Sequence, residues 1–552
     1  MDINTSSSQK IENMLNLSLS LEETQREQAA ELDVGFDGRT KTWELILKYN
    51  GDLLQYEQEG IRIEPLIAGY AIVTIRENLI RDFVVNPEVE YVEMPKRLFY
   101  SVTVGKAASC FQSTATVRGL SGKDVLVAII DSGIDYESMA FRKIDGTTRI
   151  RFLWDQSLQP GEEGQPPEGF FQGIEYSEEQ INRALAENTT LPTQDITGHG
   201  TAVAAIAAGK DEEQSLVGGA PESDLLIVKL GNADKLSFPR TTELMRAVTY
   251  AVRKAMELNM PLALNLSFGN TYGAHDSTSI LERFLDNASE IGRTVICVGS
   301  GNEGAAAGHT AGSLQEERTT QVELAVGNYQ SSFGIQLWKN YVDRMELYLV
   351  SPGGERRQIS LTVSGKQQFI LEQTEILLYI GEPSPYSVNQ EIYFELLSLE
   401  EAYVRTGVWR FEMRGIRIVS GNFLYYLPSE QVLSADTRFY APVPQSTLTI
   451  PSTASKVITV GAYNNVYDSY ADFSGRGYPD EGVLNGSRES SAFYEAGQTV
   501  KPDLVAPGVG IRTLRVGGGV EYVSGTSFAT PFVTGAAALL MEWGEGDIIR
   551  LR

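Results

Sequence analysis

Between residues 120 and 310, short continuous apolar runs alternate with longer helical stretches. Segments 125–130, 225–229, 261–267 and 294–299 read as strands buried on both faces. This predicts a parallel sheet with helices on both sides. In such sheets ligands bind beyond the carboxyl ends of the strands. Three of the four strands run into polar sequences there: Asp131-Ser132-Gly133, Ser267-Phe268-Gly269-Asn270 and Gly299-Ser300-Gly301-Asn302.

The pattern differs on either side. Segments 43–48, 69–75 and 89–93 read as strands and 77–84 as a helix, giving a compact α+β unit. The preceding stretch, 10–35, is polar and helix-prone without an apolar face, and is expected to be loosely attached. From 312 to 448 the period becomes two, as in Met345-Glu346-Leu347-Tyr348-Leu349, with Pro and Gly turns between runs, predicting an antiparallel β-sandwich. The αβ pattern resumes at Val457-Ile458-Thr459-Val460-Gly461, so the sandwich is an insertion. The expected division is 1–100, 101–311, 312–448 and 449–552.

Composition narrows the function. With 552 residues, 42% hydrophobic and 21% charged, the chain can build several real cores. Its formal charge of -26 opposes binding to nucleic acid or anionic membranes. Cys110 and Cys297 are too few and too far apart for a disulfide framework or a zinc site, and Cys297 reads as a buried core thiol. The apolar stretch 14–21 is broken by Asn16, Ser18 and Ser20, so no secretory signal is read there. No segment reaches the roughly 18 apolar residues of a membrane span. The expectation is a protein made and kept inside its cell.

The most informative stretch is Gly525-Thr526-Ser527-Phe528-Ala529-Thr530-Pro531, a serine at the start of an apolar helix. A serine hydroxyl becomes a useful nucleophile only with a base in reach and donors aimed at the oxyanion. Of the three histidines, His199 has the setting for a base, in Gly198-His199-Gly200-Thr201 ahead of a small-residue helix; His275 and His309 do not. Asp131, ending its strand, can accept from the imidazole and fix its tautomer. Asn302 can turn its amide to the oxyanion beside the Ser527 N–H. Ser267, Phe268 and Gly269 can present backbone to an extended peptide.

The order Asp131, His199, Asn302, Ser527, each in its own motif, resembles the subtilisin-like serine proteases, over about 101–311 and 449–530. The resemblance implies peptide-bond hydrolysis through an acyl-enzyme: His199 takes the proton of Ser527 and later gives it to the leaving amine, Asp131 orients the imidazole, and Asn302 stabilises the oxyanion. It also implies that 41–100 is a propeptide acting as an intramolecular chaperone, cut near Phe99, Tyr100 and Ser101. A narrower resemblance is to the Csp proteases of clostridial spores. It rests on Lys48-Tyr49-Asn50-Gly51-Asp52, the β insertion, the missing signal and Phe528. It implies a jelly-roll insertion that clamps the core, packaging in the spore, and activation of a cortex-hydrolase zymogen during germination. The partners implied are a protein substrate and the chain's own propeptide. No cofactor is required; subtilases often bind structural Ca2+, but no carboxylate loop here is assigned to it. Relatives usually continue through another helical segment past the point where this chain reaches Arg552. A second reading is a regulatory or germinant-sensing protein on the same scaffold with its propeptide retained. The insertion itself reads as a rigid clamp or as a substrate-binding module.

Overall fold

The computed structural model describes residues 9–100, 119–161, 164–231, 238–399, 403–477 and 500–546. At its centre lies a nine-stranded sheet. From one edge its strands are Ser469–Tyr470, Ile458–Asn464, Thr294–Gly299, Leu262–Leu266, Leu126–Asp131, Asp224–Lys229, Ile150–Asp155 and Ile174–Ser177, with Leu504–Pro507 also pairing on Ile458–Asn464. The seven strands other than the two at the edges of that order pair in parallel. Alternation of side chains along Leu126–Asp131 divides the core in two. Leu126, Ala128 and Ile130 face the helices Thr241–Leu258 and Ile280–Ala288. Val125, Val127 and Ile129 face the helices His199–Ala208 and Thr526–Gly546. The doubly covered parallel sheet expected from the apolar runs is present.

The N-terminal unit is a five-stranded antiparallel sheet, Phe36–Asp37, Thr42–Tyr49, Tyr70–Arg76 and Ile61–Pro65 in that order, with Val89–Glu93 on the other side of Thr42–Tyr49. The strand Ile61–Pro65 escapes the sequence reading because its apolar content is only two isoleucines between charges and a proline. One face of the sheet, with Ile46, Tyr70, Ile72 and Tyr91, joins the core over the two helices Thr241–Leu258 and Ile280–Ala288. Ion pairs reinforce this contact. Arg246 reaches Glu64 at 2.8 Å and Glu44 at 3.3 Å, and Arg240 reaches Glu44 at 3.0 Å, all largely buried.

The stretch 10–35 corrects an expectation. It is not loosely attached: Met14, Leu15, Leu17, Leu21, Ala29 and Leu32 are buried against Trp43, Leu45 and Val73 of the N-terminal sheet and Leu377, Tyr379 and Tyr393 of the insertion. Its helices, Asn13–Ser18 and Glu23–Gln28, are each six residues long, too short to display a 3.6-residue period.

The insertion is a sandwich of two antiparallel sheets. One runs His309–Ser313, Asn422–Tyr426, Ser332–Asn340, Asn389–Ser398, Thr374–Ile380, Gly365–Leu371. The other runs Arg356–Ile359, Arg344–Val350, Gly407–Arg417, Thr319–Val326, Arg438–Phe439. Leu337, Leu349, Leu378, Phe394, Trp409 and Phe411 fill the space between them.

Candidate active site

Asp131, His199, Asn302 and Ser527 come together at the carboxyl ends of the central strands. Asp131 is the last residue of its strand and fully buried; its Oδ1 lies 2.7 Å from Nδ1 of His199 and also accepts from the Ser132 N–H at 2.7 Å. A carboxylate at Nδ1 makes that nitrogen the N–H donor and leaves Nε2 as the basic atom. Among the described residues Nε2 has no hydrogen-bond partner.

The histidine is held by the first turn of its helix, where four N–H groups lack intrahelical acceptors; Gly198 N–H, at the cap, donates to Asp195 Oδ1 at 3.0 Å, leaving three. Each has a side-chain acceptor instead: His199 N–H donates to Thr197 Oγ1 at 3.3 Å, Gly200 to Ser132 Oγ at 2.9 Å and Thr201 to Asp195 Oδ2 at 2.8 Å. Ser132 Oγ donates in turn to Asp195 Oδ1 at 2.8 Å. The loop after Asp131 and the turn before His199 are therefore one hydrogen-bonded unit. Gly200 is required for it: a Cβ there would stand 2.1 Å from the Gly133 carbonyl oxygen. Asp195 and Ser132 were not singled out from sequence, although an acid ahead of a helix start is a readable capping signal.

Ser527 occupies the first turn of Thr526–Gly546. Pro531, four residues on, has no N–H to give the Ser527 carbonyl, and Ser267 Oγ donates to that carbonyl instead at 3.0 Å. Ser267 Oγ is itself oriented by Asn265 Nδ2 at 2.8 Å, and Asn265 Oδ1 accepts from Thr534 Oγ1 at 2.9 Å. In return Ser527 Oγ donates to the Ser267 carbonyl at 2.8 Å, so the hydroxyl rests on this carbonyl and not on His199. Ser267 thus faces the serine helix, leaving Phe268–Gly269 to face the cleft.

Asn302 Oδ1 accepts from the Thr526 N–H and from Thr526 Oγ1, both at 3.1 Å. A backbone N–H can only donate, so the atom facing it is the amide oxygen and Nδ2 is turned the other way.

A strand fills the cleft. Phe99–Tyr100 pairs antiparallel with Phe268–Gly269, Tyr100 opposite Phe268 and Phe99 opposite Gly269. Upstream, the Leu98 N–H donates to the Pro239 carbonyl at 2.7 Å and the Lys96 carbonyl accepts from the Thr241 N–H at 2.9 Å. The Tyr100 ring lies 4.9 Å from the His199 ring, and Phe528 covers the imidazole from a second side at 5.2 Å. Burial raises the Tyr100 phenol well above its ordinary pKa, and the nearby carboxylates of Asp131 and Asp195 raise it further. Of the three residues expected at the junction, Phe99 and Tyr100 lie in the cleft; Ser101 is outside the described residues, as is Cys110. Cys297 is buried in its strand, and burial pushes its thiol up to about 12.

His275 and His309 lie away from this cleft, stacked on the two faces of Tyr426 at 4.0 and 4.3 Å and buried where the insertion meets the αβ unit. Among the described residues no group of three or more His, Cys, Asp or Glu side chains is arranged to hold a metal ion, and no helix is long and apolar enough to cross a membrane.

The sequence matches the subtilase family profile over residues 122–381 and 420–547, and the Csp protease B prodomain over residues 9–96. The structure resembles that of the CspB protease of Clostridium perfringens, with 30% identity and a TM-score of 0.69, covering 79% of this chain and 85% of that one. The subtilisin-like protease SBT3.3 of Arabidopsis thaliana is 26% identical over 470 residues, 76% of this chain and 57% of that protein. Subtilisin E of Bacillus subtilis is 35% identical over 100 residues, 17% of this chain and 26% of the relative. The chain therefore spans little more than half of the first of these sequence relatives and about a quarter of the second. With a profile match across most of its length, the chain belongs to the subtilase family of serine proteases and carries a Csp protease B prodomain ahead of the protease fold.

Proposed function

We propose that the chain is a self-processing serine endopeptidase that cuts itself near Phe99, Tyr100 and Ser101, at a carbonyl after that of Tyr100, and then keeps the prodomain in its cleft. The observation that carries this is the strand Phe99–Tyr100, paired on Phe268–Gly269 with Tyr100 against His199. In the reaction the Ser527 hydroxyl leaves the Ser267 carbonyl, turns to His199 Nε2 and gives up its proton as Oγ attacks the scissile carbonyl. Asp131 stabilises the resulting imidazolium. The oxyanion forms beside Asn302 Nδ2 and the Ser527 N–H. Collapse of the tetrahedral intermediate passes the proton from Nε2 to the leaving amine, and water then hydrolyses the acyl-enzyme by the same route.

Intact-mass analysis beside Ser527→Ala tests this reading. The wild type is expected to be cut near residue 100 and the variant to remain whole. An uncut wild type would favour the second reading, a regulatory or germinant-sensing protein on a protease scaffold, for which the filled cleft is the supporting observation.

As external substrate we propose a protein zymogen, such as a cortex hydrolase of the spore. The support is likeness to the CspB protease and the matching prodomain. Incubating the processed protein with that zymogen should give one defined cleavage that Ser527→Ala does not give; an untouched zymogen rejects this substrate.

A further inference from the structure

One side chain of the inserted sandwich touches the strand in the cleft. Nε2 of Gln431 donates to the main-chain carbonyl of Tyr100 at 2.9 Å. Gln431 lies in a single 3-10 turn, Glu430–Val432, on the segment by which the chain leaves the strand Asn422–Tyr426. That segment is tied down on three sides. The Leu427 carbonyl accepts from Thr271 Oγ1 at 2.8 Å, close after the pairing residues Phe268–Gly269. Ser429 Oγ donates to Glu303 Oε1 at 2.8 Å, next to Asn302. The Ser434 N–H donates to Gln330 Oε1 at 2.8 Å within the sandwich. An exposed glutamine is thus carried on a turn whose position is set by the oxyanion loop and by the peptide-pairing loop.

We propose that Gln431 is a substrate-binding residue supplied by the insertion. It holds the carbonyl of the residue seated on His199, in the prodomain and in any peptide that replaces it. The carbonyl belongs to the main chain, so the contact is independent of the substrate's side chains. Pairing with Phe268–Gly269 fixes one edge of the peptide; Gln431 grips it from outside that ladder and resists its rotation about its own axis. The insertion is then part of the cleft as well as a clamp around the core.

This inference rests on the protease reading, and the test separates the two. In the uncut Ser527→Ala chain, amide hydrogen exchange of segment 96–100 is compared with and without Gln431→Ala. One lost hydrogen bond predicts exchange about fivefold faster. In the wild-type background Gln431→Ala should slow self-cleavage about fivefold. Gln431→Glu, of equal length but with a carboxylate facing the carbonyl, should slow it further and quicken exchange more. Because Gln431 is exposed, the melting temperatures should be unchanged. Exchange and cleavage at parental rates in both variants would overturn the proposal. If the wild type is never cut, the protease reading fails, and the exchange comparison alone still decides whether Gln431 holds the strand.

Discussion

Replacing Arg246 with methionine removes the central cation of the buried cluster that joins the prodomain to the protease. Its side chain is 3% exposed, and Glu64 and Glu44 beside it are 5% and 16% exposed. Burial alone would lower the Arg246 pKa, but the carboxylates of Glu44 and Glu64 outweigh it and hold the guanidinium charged. Without Arg246, Glu64 loses the guanidinium that pairs with it, and Glu44 is left with Arg240, which already serves Glu243 at 2.5 Å. Removing one partner of a buried pair costs about 3–5 kcal/mol, and at about 1.4 kcal/mol per decade the prodomain contact weakens roughly a hundred- to several-thousandfold. The first assay is urea unfolding of Arg246→Met in the uncut Ser527→Ala chain, followed by tryptophan fluorescence, since Trp43 is fully buried in the prodomain. Adding Glu64→Gln, which removes an orphaned charge, should restore about 1–3 kcal/mol. The second assay is labelling of the processed protein by a serine-reactive fluorophosphonate. Labelling should be faster in Arg246→Met, because the prodomain leaves the cleft more often. A stability change below about 1 kcal/mol together with unchanged labelling would refute the claim that this cluster holds the prodomain in place.

Asp131→Asn should reduce the self-cleavage rate about 10⁴-fold with little change in melting temperature, because it removes the acceptor that fixes the imidazole tautomer; a fall below tenfold would show that Asp131 does not orient His199. Gly200→Ala places a Cβ 2.1 Å from a backbone oxygen, so a loss of about 3 kcal/mol or more, measured by urea unfolding, and loss of processing are expected. Burial pushes Glu93 up to about 8 and Glu391 up to about 7, with Glu12 nearby raising both, while Lys96 pulls the other way. Both line the cavity where prodomain, protease and insertion meet. Raised carboxyl pKa values give stability that is full below the unfolded value near 4.5 and is lost as pH rises towards 7 and 8. The urea midpoint of the Ser527→Ala chain should fall between pH 5 and pH 8.5, and Glu93→Gln with Glu391→Gln should reduce that slope; a midpoint rising over this range contradicts the assignment.

Sequence was most readable where one residue type carries one strong demand. The strand ending in Asp131 showed itself as an unbroken apolar run because both its faces are covered, and Ser527, His199 and Asn302 stood out because each has short glycine-flanked surroundings. The N-terminal helices were legible as helix-prone sequence but their burial was not, since their apolar residues become a face only against Trp43 and, far away in sequence, Tyr393. Nothing in the local sequence marks Arg240 and Arg246 as buried; the partners Glu44 and Glu64, far earlier in the chain, do so. Ser267 looked like a peptide-facing residue, whereas the missing N–H of Pro531 gives it an inward task. Gln431 carries no local signal at all, because its meaning lies in the strand it meets across more than 300 residues of chain.

The serine helix docks on the histidine helix and on the strands Leu262–Leu266, Thr294–Gly299 and Ile458–Asn464, all of which precede it in the chain. During translation it is therefore the last of these elements to leave the ribosome, while the segment that fills the cleft is among the first. On the protease reading, a nascent chain that has passed residue 302 but has not reached residue 527 contains the base, the orienting acid and the oxyanion donor, but no nucleophile. When the nucleophile does arrive, its cleft has an occupant already attached to the same chain. On that reading, the order of synthesis delivers the occupant of the cleft before the nucleophile it covers.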